Sequence, residues 1–158
     1  MTDRAPVVAH DDGALRLVCA ANLLVAAWTE APTVEQLRLV RERGHELERA
    51  HPRASAYLNG IVRGGNRFPA EVREEMEASA RDRGMFTRGV AHLVLLPGWQ
   101  GPAARAVVRG AIAIARAPAP NRVFATPEDA AAWLAERLGA PWCAEDVTRA
   151  WAEAARAS

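Results

Sequence analysis

The run VAHLVLL at residues 90–96 narrows the choice of fold more than any other stretch. It is apolar apart from His92 and short for a helix, so it suits a strand covered on both faces. Such a strand lies inside a sheet with helices packed on it. Residues 55–62 read as a neighbouring strand, with Tyr57, Leu58, Ile61 and Val62 of high strand preference, although Asn59 and Gly60 interrupt them. Arg63-Gly64-Gly65-Asn66-Arg67 must then turn, because two adjacent glycines cost a helix roughly 1 kcal/mol each and permit positive φ. Pro69 suits a first helical position, and Glu71, Glu74 and Glu75 suit the positive end of a helix dipole. Val72, Met76 and Ala80 recur at helical spacing and form the expected inward stripe.

The remaining chain extends this alternation. Residues 7–10 offer a short edge strand, and Asp11-Asp12-Gly13 turns into a hairpin of residues 14–19 and 23–28. Asn22 is the residue expected to take the left-handed conformation in that hairpin. Thr33 with Gln36 reads as a capping box, opening a helix whose stripe is Val34, Leu37, Val40, Gly44 and Leu47. His51 before Pro52 ends it. Pro102 opens a third helix, which stops at Ala117-Pro118-Ala119-Pro120; residues 122–124 follow as a last strand. Thr126-Pro127-Glu128-Asp129 is a strong helix start, and a final helix over 144–156 carries Val147, Trp151 and Ala154 on one face. The expected fold is α/β (α+β): a four- to five-stranded mixed sheet covered by helices, with an extra C-terminal helix. Residues 1–140 form the domain, and 141–158 an extension packed on it or on a second copy in a homodimer.

Composition bounds the function. A chain of 158 residues with a quarter of them charged is an ordinary one-domain length and polarity. Its net charge of +1 provides no general field for nucleic acid or an anionic membrane. All basic residues are arginine. Cys19 and Cys143 stand far apart, which excludes a disulfide framework and suits a reducing compartment. With no leader and no apolar run near the ~20 residues a membrane span needs, the expected location is the cytoplasm, without membrane insertion.

The order of elements resembles the STAS domain superfamily, above all its SpoIIAA-like branch. The segment RVFATPEDAAAWL at residues 122–134 looks like the closing strand and helix of that branch. The segment NLLVAAW at 22–28, with the helix after it, is also similar, and the likeness covers about residues 14–138. It implies a cytoplasmic protein-interaction domain in a bacterial regulatory pathway rather than a catalyst. Relatives of this kind carry a phosphorylatable serine in the loop after a central strand. The matching loop here, Arg63 to Pro69, has neither Ser nor Thr.

Read from the residues, that loop is the first candidate site. Arg63, Gly64, Gly65, Asn66, Arg67 and Phe68 would set backbone amides and two guanidiniums beside a helix start, suited to an anion or to a partner's acidic side chain. Arg105, Arg109 and Arg116 share one side of the third helix and, with Trp99 in a Pro-Gly loop, form a candidate docking face. His10, His45, His51 and His92 lack metal-ligand spacing, and no motif implies a cofactor. No catalytic set is visible; an enzyme would have to work with His92, Asn59, Tyr57 and the loop arginines. The alternative to an interaction module is a carrier holding a small molecule or lipid between the sheet and the third helix.

Overall fold

The computed structural model describes residues 4–64 and 68–156. Six strands, β1 (Val7–Asp11), β2 (Leu15–Ala20), β3 (Leu23–Trp28), β4 (Ala56–Ile61), β5 (Gly89–Val94) and β6 (Asn121–Phe124), form one sheet in the order of the sequence. β1, β2 and β3 are mutually antiparallel, and β3 to β6 run parallel. Connection length decides this: tight turns join antiparallel neighbours, whereas each parallel pair is separated by a helix. The α/β mixed sheet is the one expected. It has six strands instead of four to five, because β1 is a full member paired from Val7 to Asp11.

At the β2–β3 turn it is Ala21, with φ of 46°, that takes the left-handed conformation. Asn22 works through its side chain instead, donating from Nδ2 to the Ala54 carbonyl and accepting from Trp142 Nε1 at 2.8 Å.

Helices α1 (Val34–Ala50), α2 (Ala70–Arg81) and α3 (Gln100–Ala115) are the crossovers between successive parallel strands. The Thr33–Gln36 capping box opens α1 as expected. On this side of the sheet Leu15, Leu17, Leu24, Trp28 and Tyr57 meet Val40 and Leu47 of α1, with Met85 and Phe86 from the segment before β5. A Cβ at Gly44 would stand 2.6 Å from the Phe86 ring, so glycine is what lets that ring lie on the helix. Of α2, Val72 is buried, whereas Met76 is 39% exposed and does not face the core. α2 lies against α1 and α3, and Glu75 ties it to α1 through Arg41 at 2.8 Å and Arg38 at 3.5 Å.

The other face is covered by α4 (Pro127–Leu138) and α5 (Ala144–Ala154). Val18, Val25, Leu58 and Leu93 of the sheet meet Leu134, Val147 and Trp151 there. The Trp151 ring lies directly over Gly60, where an added Cβ would come within 2.1 Å of it. The glycine that breaks the strand pattern in β4 is therefore the seat of the last helix. Among the described residues no helix is long and apolar enough to cross a membrane.

Candidate functional site

Parallel register places Ala26, Asn59 and His92 side by side on β3, β4 and β5, with Asn121 on β6 beside Val90. On the α1–α3 side of the sheet this builds a polar row. Trp28 Nε1 donates to Asn59 Oδ1 at 2.8 Å, and the Tyr57 hydroxyl donates to the same oxygen at 3.1 Å. Asn59 Nδ2 donates to His92 Nδ1 at 3.1 Å, and His92 Nε2 donates to Asn121 Oδ1 at 2.8 Å. Asn121 Nδ2 closes the row on the Ala119 carbonyl at 2.9 Å.

These partners fix His92 as the neutral Nε2–H tautomer, with both ring nitrogens occupied. Burial holds its pKa below the ordinary value of 6.5, against the opposing pull of Asn121. Burial likewise pushes the Tyr57 phenol up, and its ring stacks on Phe86 at 4.7 Å. The row is uncharged and spends its hydrogen-bonding capacity chiefly on itself. The arrangement orders four strands; it presents no paired acid and base to a substrate. Tyr57, Asn59 and His92 stand out in the sequence as polar candidates. Trp28 and Asn121 complete the row, and only sheet register links them to it.

The surface above the row is less conventional. α3 buries Gly101, and its inward side is only half-buried at Ala104, Arg105, Val108, Ile112 and Ala115. Val107 and Ile114, two turns apart on one face, are 63% and 80% exposed, and Trp99 at the head of the helix is 79% exposed. Ala103, Ala106 and Ala111 extend this outward apolar stripe. Between Gln100 and Phe124 the chain carries Arg105, Arg109, Arg116 and Arg122 and no acid, although its overall charge is only +1.

The candidate residues from the sequence fall on two ends of this region. Val62 N–H bonds the Trp28 carbonyl and Leu95 N–H bonds the Ile61 carbonyl, so the loops carrying Arg63 and Trp99 leave the same edge of the sheet. That edge, at the carboxyl ends of the parallel strands, is where ligands collect in open α/β sheets. Arg63 is exposed there, Gly64 has φ of 131° as a glycine permits, and Phe68 is half-buried. Gly65, Asn66 and Arg67 lie outside the described residues. Arg105 is half-buried and donates from Nη1 to the Val94 carbonyl at 3.3 Å. Arg109 and Arg116 lie toward the opposite end, exposed and without an ion pair among the described residues. Arg109, Ile112 and Ala113 of α3 face Asn121, Arg122 and Val123 of β6 across an open groove of about 480 Å³.

No cluster of three or more His, Cys, Asp or Glu among the described residues is arranged to hold a metal ion. Comparison with protein families, with characterised proteins and with solved structures gives no match to this chain.

Proposed function

We propose that this chain is a non-enzymatic, STAS-like protein-interaction module in a bacterial regulatory pathway, one that works without the usual phosphorylatable serine. The observation that carries the reading is the outward face of α3, where Trp99, Val107 and Ile114 stand in water. Apolar surface removed from water contributes roughly 25 cal/mol per Å², so a partner that covers this stripe gains what the fold itself leaves unused. Arg109 and Arg116 give the same helix a sign, favouring an acidic partner. Arg63, which leaves the same end of the sheet as the Trp99 loop, extends the contact surface. The polar row, closed on itself, supports a scaffold role beneath it.

A carrier reading draws on the α3–β6 groove. It ranks second, because the groove is open along β6 and lined by Arg109, Arg122 and Asn121 as well as apolar groups. Capture from a lysate of the source cell tests the leading reading. The native chain should retain a partner that the Val107→Asp/Ile114→Asp chain loses, and equal capture by both would overturn the α3 assignment.

A further inference from the structure

We infer that β6 is a docking edge that accepts an extended, acidic segment of a partner protein as a seventh strand. This rests on the interaction-module reading and names its mode of recognition. β6 ends the sheet, and among the described residues no strand pairs with its outer side. Val90 N–H bonds the Pro120 carbonyl at 2.8 Å, so strand alternation turns the backbone of Arg122 and Phe124 toward β5. By the same alternation the N–H and C=O groups of Asn121 and Val123 point away from β5. The opposite edge differs: β1 breaks register between Val8 and His10, a bulge of the kind that blunts strand addition. β6 keeps regular register through its whole length.

Grooves flank this edge on both faces. One, of about 480 Å³, lies toward α3; the other, of about 500 Å³, lies toward α4 and is lined by Phe124, Ala132, Trp133, Asp129 and Glu136. An added strand sends alternate side chains into the two grooves. Charge selects among occupants. Arg109 lines the α3-side groove with no ion pair among the described residues, so acidic side chains belong there. Arg122 sits on the other face, its guanidinium 5.5 Å from the Phe124 ring, and Asp129 and Glu136 already stand beside it. Apolar side chains belong on that side, over Phe124 and Trp133. Arg122 borders both grooves, but its guanidinium lies over the Phe124 ring on the α4 side. A second copy of the same edge would set Arg109 and Arg122 against themselves, which disfavours self-pairing.

The test is a titration of isotope-labelled protein with the capped peptide Glu-Val-Glu-Val-Glu-Val, followed by amide chemical shifts. The expected result is a set of shifts centred on Asn121 to Phe124, absent with the peptide bearing Lys for Glu. Val123→Pro removes an outward N–H and also alters a buried side chain; where the spectrum of the folded sheet persists, it should weaken binding by about tenfold or more. Arg109→Glu, on the exposed helix surface, should do the same and serves if the proline variant fails to fold. No shift at β6 with millimolar peptide, or undiminished binding by both variants, would overturn the inference. Shifts confined to Trp99, Val107 and Ile114 would also overturn it while leaving the interaction module standing.

Discussion

Glu48, near the end of α1, gathers three separate segments onto one carboxylate. It accepts from the Ser55 hydroxyl, from Arg53 N–H at 2.6 Å and from the Thr87 hydroxyl at 3.1 Å, joining α1 to the starts of β4 and β5. Partial burial alone would raise its pKa; these donors outweigh that and hold it below the ordinary 4.5. A carboxylate with a depressed folded pKa stabilises the fold fully above its unfolded value and less as pH falls toward the folded one. Glu48→Gln should therefore lower stability at pH 7 by roughly 1–3 kcal/mol in urea unfolding, and the loss should shrink below about pH 4.5. A pH-independent difference between the two proteins would contradict this assignment. His92 works in the same direction at higher pH. Its folded pKa lies below 6.5, so the unfolded chain binds the extra proton first and stability drops as pH falls through that range. Asn59→Ala should strand the Trp28 and Tyr57 donors and the His92 acceptor, costing roughly 2–4 kcal/mol, with thermal unfolding as the readout. Asn59 and His92 were visible in the sequence as polar residues within apolar strands, and Tyr57 as a strand-forming residue beside them. That they share one row with Trp28 and Asn121 was not visible, because register between distant strands is a property of the assembled sheet.

At the scale of elements, local signals were legible wherever the physics is local. The Thr33–Gln36 box and the Thr126-Pro127 start depend on neighbours in sequence, and both caps are present. α2 and α3 were harder to read. The stripe Val72, Met76, Ala80 has the right period, yet α2 rests on two other helices, and ion pairs through Glu75 help to hold it there. In α3 the arginine side is not the most exposed one: Arg105 is half-buried on the Val94 carbonyl, whereas Val107 and Ile114 stand in water, so the arginine pattern did not tell them from core. The last helix shows the reverse. Its apolar face was legible, but what receives it was not: Val147, Ala150 and Trp151 complete the core over β2, β3 and α4. Trp151→Ala should cost about 3–5 kcal/mol. Gly60→Ala, which forces a Cβ into the Trp151 ring, should cost about 1–3 kcal/mol. If Gly60→Ala left the unfolding midpoint unchanged, the seating of α5 on β4 would be wrong.

For the whole molecule, a sheet with strands in sequence order puts α1, α2 and α3 on one side and α4 and α5 on the other. The α4–α5 side is closed by Leu134, Leu138, Val147 and Trp151. The other side ends in an incompletely buried helix beside an open edge, and there the chain between Gln100 and Phe124 has four arginines and no acid. The alternation of elements was legible in the sequence; the order of strands, and hence which helix lies at the open edge, was not. The central claim is that this side is a contact surface. Its most direct test is quantitative capture from source-cell lysate with three baits: the native chain, Val107→Asp/Ile114→Asp and Arg63→Glu/Arg67→Glu. Val107, Ile114 and Arg63 are exposed, so substitutions there leave the buried core intact. A partner should be held by the native chain, reduced by about tenfold or more with the α3 variant, and reduced less with the turn variant. The same partner retained equally by the native chain and the α3 variant would contradict the claim.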